Sequence, residues 1–105
     1  LIVTWAALDA DDTGQPYACA AGFPDKCVQI TGTFDTTTVI LQGTNDTGAS
    51  PTYATLTDPQ GNAISKTAAA IEQVLENVYK IRPSVSGGAS TAITVKLLMT
   101  TVARR

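Results

Sequence analysis

"CVQITGTFDTTTVILQGT", residues 27–44, decides the fold class. Val28 and Ile30 point one way, and Gly32 and Phe34 continue their row, while Gln29, Thr31 and Thr33 point the other way. A period of two is the mark of a strand with one face on a core and the other toward water. Asp35, Thr36 and Thr37 interrupt the pattern, and "TVILQGT" at 38–44 resumes it as a second strand. So short an interruption predicts an antiparallel hairpin.

The same alternation of strand and punctuation continues toward the C terminus. Asn45-Asp46-Thr47-Gly48 with Ser50-Pro51 forms a turn cluster, because Asn and Asp side chains fold back onto local backbone and Gly permits a positive φ. Residues 53–56 are short and strand-like, and Asp58-Pro59-Gln60-Gly61 has the form of a tight turn. Ile64 opens another strand that ends by Thr67. Residues 68–77, "AAAIEQVLEN", carry good helix formers, with Ile71, Val74, Leu75 and Val78 at helical spacing, so one short helical turn is expected there. A strand at 78–82 should follow and stop at Pro83, with Gly87-Gly88 as a flexible turn. Residues 91–102 close the chain as a strand, with Ile93, Val95 and Leu97 on one face and Thr94, Lys96 and Leu98 on the other.

Toward the N terminus, residues 2–7 have strand composition around Trp5, residues 9–16 form a polar loop, and residues 17–25 read as irregular connection. The expectation is an all-β fold: a small antiparallel β-sandwich or flattened barrel of about seven strands with one short helical turn. The 105 residues make one domain, with residues 1–8 an edge strand or an extended arm.

Composition narrows the function classes. Hydrophobic residues are 44% and charged residues 15%, too apolar for a disordered chain. Seven Lys and Arg are spread along a chain of net charge −2, and the closing Arg104-Arg105 reads as a solvated tail, so nucleic acid is not an expected partner. No apolar run of about 18 residues offers a membrane span. The opening "LIVTWAALDADD" lacks a basic leader and reaches acids by Asp9, unlike a signal peptide. Cys19 and Cys27, with seven residues between them, fit either two reduced thiols or a disulfide closing a short loop.

Catalytic chemistry has little to stand on. The chain has no His, which removes His-based triads and the usual base at neutral pH. Asp9, Asp11, Thr13 and Gly14 imitate the opening of a calcium loop, but Ala20 stands where the closing Glu belongs. Glu72 and Glu76 would share one face of a helix, where solvent exposure is the ordinary explanation of such a pair. Trp5, Tyr17, Phe23, Tyr53 and Tyr79 form no stripe, and each reads as a core or interface anchor. A protein without catalytic residues, metal or cofactor is expected.

Four stretches carry a resemblance. "VQITGTFDTTTVILQGTNDT", "YATLTDPQGNAIS", "YKIRPSVSGG" and the β-rich C-terminal strand resemble a family of small tailed-phage virion proteins, the capsid decoration or cement proteins, over roughly residues 28–98. Asp35-Thr36-Thr37 departs from the family's Gly-rich turn, Thr44 replaces Ser, and Thr47 is inserted before Gly48. The resemblance implies a structural role on the outer surface of the phage head, often as a homotrimer, bridging neighbouring copies of the major capsid protein. The expected contacts are the apolar arm Leu1, Ile2, Val3, Trp5 and Leu8 together with Asp35, Thr36 and Thr37. Two other readings stay open. One is a tail or baseplate component. The other is a carbohydrate-binding module, because "LQGTNDTGASPTYATL" also resembles part of the discoidin-like domains.

Overall fold

The structure is a computed structural model, and it describes residues 1–19 and 24–100. Phe23, Arg104, Arg105 and the end of the expected C-terminal strand at Val102 lie outside the described residues. Nine strands and no helix occur among the described residues: β1 Ile2–Leu8, β2 Tyr17–Ala18, β3 Asp25–Thr33, β4 Thr38–Thr44, β5 Ala54–Thr55, β6 Ser65–Lys66, β7 Ala70–Val74, β8 Lys80–Ser86 and β9 Ala92–Thr100. They form two antiparallel sheets. One has the order β1-β9-β3-β7, and the other runs β2-β8-β4-β5 with β6 also pairing β4. The sheets face each other across one core, so the all-β sandwich expectation holds.

The core follows from alternation. The four-stranded sheet contributes Val28, Ile30, Ile93, Val95, Leu97 and Met99, with Trp5 and Leu8 from β1 and Val74 from β7. The second sheet and its connections contribute Val39, Leu41, Leu56, Ile64, Ile81 and Val85. Burying such side chains contributes roughly 1.5–3 kcal/mol each, which holds the two sheets together. Trp5 also donates its indole N–H to the Gln15 carbonyl at 2.8 Å, so its one polar atom is satisfied inside the protein. Lys26 is a buried cation on the same inner face as Val28 and Ile30, and its ammonium donates to the Pro24 carbonyl and to Asn77 Oδ1.

Three expectations are corrected. The hairpin over 27–44 does not form: β3 and β4 lie in different sheets. Both edges of β3 are taken, by β9 over nine residue pairs and by β7 over five, so no edge is left for β4. The chain instead crosses the sandwich at 34–37, and the inner faces of β3 and β4 become opposite walls of the core. The helical turn over 68–77 does not form either, and Ala70–Val74 is strand β7. A helix would have put Ile71, Val74 and Leu75 on one face, but Val74 is buried while Ile71 and Leu75 are exposed, as strand alternation requires. So short a helix has little intrinsic stability, and the pairing offered by β3 prevails.

Pro83 does not end a strand, because β8 runs through it to Ser86. Its partner across β4 is Leu41, whose N–H goes to the Ile64 carbonyl and whose carbonyl accepts from Leu56, both away from Pro83. Pro83 accepts from the Gly14 N–H on its other side, so its missing N–H removes no bond from the β4 ladder.

At Gly32 the backbone of β9 leaves no room for a side chain on β3. The φ of Gly32 is +126°, and a Cβ there would sit 2.1 Å from the Ala92 carbonyl oxygen. Gly32→Ala should therefore destabilise the protein by more than about 2 kcal/mol, since strain and a backbone clash act together. Urea unfolding checks this, and a midpoint equal to wild type would contradict the β3–β9 register at that position.

Candidate interaction surface

The two outward faces of the sandwich differ in chemistry. On the β2-β8-β4-β5 sheet, the outward positions of β8 are Lys80, Arg82 and Ser84, opposite Thr44, Gln42 and Ile40 of β4. Arg82 stacks over the Tyr53 ring at 3.6 Å from its centroid and donates through Nε to Gln42 Oε1 at 3.0 Å. This face is largely polar and internally bonded.

The outward face of the β1-β9-β3-β7 sheet is different. The register aligns Ile2, Leu98, Cys27 and Gln73 in one row across the strands, and Thr4, Lys96, Gln29 and Ile71 in the next. Ile2 and Ile71 are each 62% exposed and Leu98 37%. Leu75, just past β7, is 54% exposed. Between the rows lies a groove of about 230 Å³ lined by Ile2, Cys27, Gln29, Ile71, Lys96 and Leu98. A second hollow of about 250 Å³ shares Gln29 and Ile71 with it and continues past Thr31 to Ala69. Clustered aliphatic side chains around a hollow mark a contact surface, whereas scattered ones need no explanation.

The side chains expected at a contact are divided by the structure. Leu1, Ile2 and Val3 stand at the end of β1 that pairs with the C-terminal part of β9: Ile2 faces Leu98, and the Leu1 ammonium donates to the Met99 carbonyl at 3.2 Å. Leu1 and Ile2 are exposed and Val3 is half-buried. Trp5 and Leu8 are 7% and 8% exposed and belong to the core. Ile2–Leu8 is thus an edge strand, and of the expected contact side chains on this arm Leu1 and Ile2 are the exposed ones.

Asp35, Thr36 and Thr37 lie at the opposite end of β9, beyond the Gly32–Ile93 pair. Thr37 is 1% exposed, and its hydroxyl is 2.7 Å from that of Thr91. Thr36 is exposed, with φ of +53°, a left-handed conformation that a β-branched residue rarely adopts. The structure does not bring this loop to the apolar arm. It joins it to the β8–β9 connection, where Asp35 Oδ2 accepts the Ala89 and Ser90 N–H groups at 2.9 Å each.

Ile71 and Leu98 were not among the expected contacts. The helical reading of 68–77 hid Ile71. Leu98 had a visible signal, because Leu97 and Leu98 are consecutive in a strand and cannot both face the core.

The remaining candidates have structural employment. Asn45 Oδ1 accepts the Tyr79 N–H at 3.0 Å, and Asp46 Oδ2 accepts that of Thr52 at 2.8 Å. Asp58 is buried and accepts the Gln60 and Asn62 N–H groups through Oδ1, building the turn expected at 58–61. Asp11 holds the Gly87 N–H and Asp12 that of Asp9. Glu72 pairs with Lys66 at 2.7 Å. Burial works to raise the Glu76 carboxyl, but its bonds from the Thr57 hydroxyl and N–H leave it below the usual carboxylate value. Both cysteines are free thiols, and burial pushes each above the ordinary thiol value. No group of three or more His, Cys, Asp or Glu side chains is placed to hold a metal among the described residues.

No protein-family model matches the sequence, and no curated protein matches it. Among solved structures, the fold is similar to the crystal structure of the SPBc2 prophage-derived protein YomS, with a TM-score of 0.67 and 11% identity over 94% of this chain and 93% of that one. At that identity the likeness is one of fold.

The backbone N–H bonds from Ser90 and Ala89 hold the Asp35 carboxyl below the usual carboxylate value. A depressed folded value means that the carboxylate contributes stability above the unfolded range near pH ~4 and loses it as pH falls through the folded value. Asp35→Asn should therefore lower the urea midpoint at pH 7, and the gap to wild type should shrink at pH ~3. An equal gap at both pH values would show that the loop is held by something other than the charge.

Proposed function

We propose that this chain is a structural subunit of a tailed-phage virion, in the decoration role that its sequence resembles. The observation that carries the reading is the groove-bearing apolar face of the β1-β9-β3-β7 sheet, with Ile2, Leu98 and Ile71 exposed together. Such a face on a small rigid sandwich suits a protein that adds buried contact across seams between larger subunits. The fold likeness to a prophage-derived protein supports the same setting. The proposed partner is the major capsid protein, and the proposed location is the outer surface of the head. Homotrimeric assembly, which the resemblance implies, would multiply a modest affinity through several tethers. No catalytic step belongs to this reading.

A sugar-binding module is less well supported. Such modules present a flat aromatic platform, whereas Trp5 is buried, Tyr53 is covered by the Arg82 guanidinium, and Tyr79 is the one exposed aromatic side chain among the described residues. Copy number separates the head from the tail. Quantitative mass spectrometry of purified virions should find this chain near one copy per major capsid subunit, or in a simple fraction of that number. A handful of copies per particle would move it to the tail or baseplate, and absence from the particle would overturn the reading.

A further inference from the structure

The groove on the outward face of the β1-β9-β3-β7 sheet holds one charge. Lys96 lines it beside Ile2, Ile71 and Leu98, is exposed, and has Thr4 and Gln29 as its register neighbours. It makes no ion pair among the described residues, where Lys66–Glu72 is the one such pair. The two rows that build the face, Ile2-Leu98-Cys27-Gln73 and Thr4-Lys96-Gln29-Ile71, contain no carboxylate. An occupant that covers the aliphatic side chains must also take water from the Lys96 ammonium, and an ammonium desolvated without a counter-charge opposes binding. A second copy of this chain laid face to face with these two rows opposed would bring another Lys96 and no acid, because the carboxylate of the next row, Asp25, has one oxygen already buried within its own chain, so copy-on-copy contact of these rows doubles the difficulty. A partner with a carboxylate set among apolar side chains meets both requirements.

We infer that this face docks a protein other than itself, through apolar side chains seated between Ile2, Leu98 and Ile71 and a carboxylate placed against Lys96 Nζ. The inference rests on the virion reading for the partner's identity, which is then the shell surface. On that basis Lys96 sets specificity, and the aliphatic side chains supply most of the contact.

The test uses purified particles of a phage deleted for this chain, cosedimented with the recombinant protein across a range of NaCl concentrations. Lys96→Glu should weaken binding about a hundredfold or more. Lys96→Met, which keeps the apolar stem, should weaken it about tenfold and flatten the salt dependence. Ile71→Asp should abolish binding, whereas Arg82→Met on the other sheet should leave it unchanged. All these side chains are at least partly exposed, and matching thermal melts would confirm intact folds. Wild-type affinity in Lys96→Glu would overturn the inference while leaving the virion role standing. Failure of the wild-type chain to bind particles, together with its absence from native virions, would remove both. Sedimentation equilibrium of the isolated chain adds a further arm: self-association that Ile71→Asp abolishes would assign the face to a second copy and overturn the inference.

Discussion

The pairing of β3 with β9 governs the molecule. It runs through nine consecutive residue pairs, from Asp25–Thr100 to Thr33–Ala92, and places the two strands at the centre of their sheet. β1 attaches to the free side of β9, and β7 to that of β3. Because strand side chains alternate with a period of two, this register settles both faces at once. It buries Val28, Ile30, Ile93, Val95, Leu97 and Met99, and it sets Cys27, Gln29, Lys96 and Leu98 outward. A slip by one residue would exchange the two sets and bring Lys96 into the core. The outward groove is therefore a consequence of the same pairing that makes the protein fold.

Among the described residues, the non-glycine ones of positive φ, Ala7, Asp11 and Thr36, gather at one end of the sandwich, while Gly61 takes its positive φ separately in the 58–61 turn. With Gly32, Gly87 and Gly88, also of positive φ, these three belong to the connections or strand ends around the Gly32–Ile93 pair. Asp35 and Asp11 lock this end by accepting N–H groups from the β8–β9 connection. The register shift between Trp5 and Leu8, with Ala7 at +56°, bends the edge strand β1 where it leaves the sheet. Bulges of this kind discourage unplanned pairing along an exposed edge. The opposite end of β1 has no such device, and there Ile2 joins the apolar groove.

Much of this was legible from residue order. The alternation at 28–34 and 91–102 located two central strands and their inward side chains, and Asp58-Pro59-Gln60-Gly61 declared its turn. What could not be read was pairing. A strand's period shows which face is buried, not which strand lies beside it, so the short gap at 35–37 argued for a hairpin where the chain changes sheets. Residues 68–77 misled for a related reason, because Ala, Glu and Leu favour a helix locally while β3 offered a long-range partner. Pro83 read as a stop because its lost N–H matters only on the ladder side, and which side that is depends on the neighbouring strand. The contact surface was half legible: Ile2 stood out in the apolar arm, but Leu98 and Ile71 join it only through the four-stranded register.

The central claim, that the outward face of the β1-β9-β3-β7 sheet is covered in the assembled particle, has a native reporter. Cys27 lines the groove and is a free, half-buried thiol. Alkylation with a small maleimide at pH ~8, read out peptide by peptide by mass spectrometry, compares its reactivity in the isolated protein and on the virion. Labelling of Cys27 in the free chain and strong protection on the particle is the expected result. Equal labelling in both states would contradict the assignment of this face as the contact.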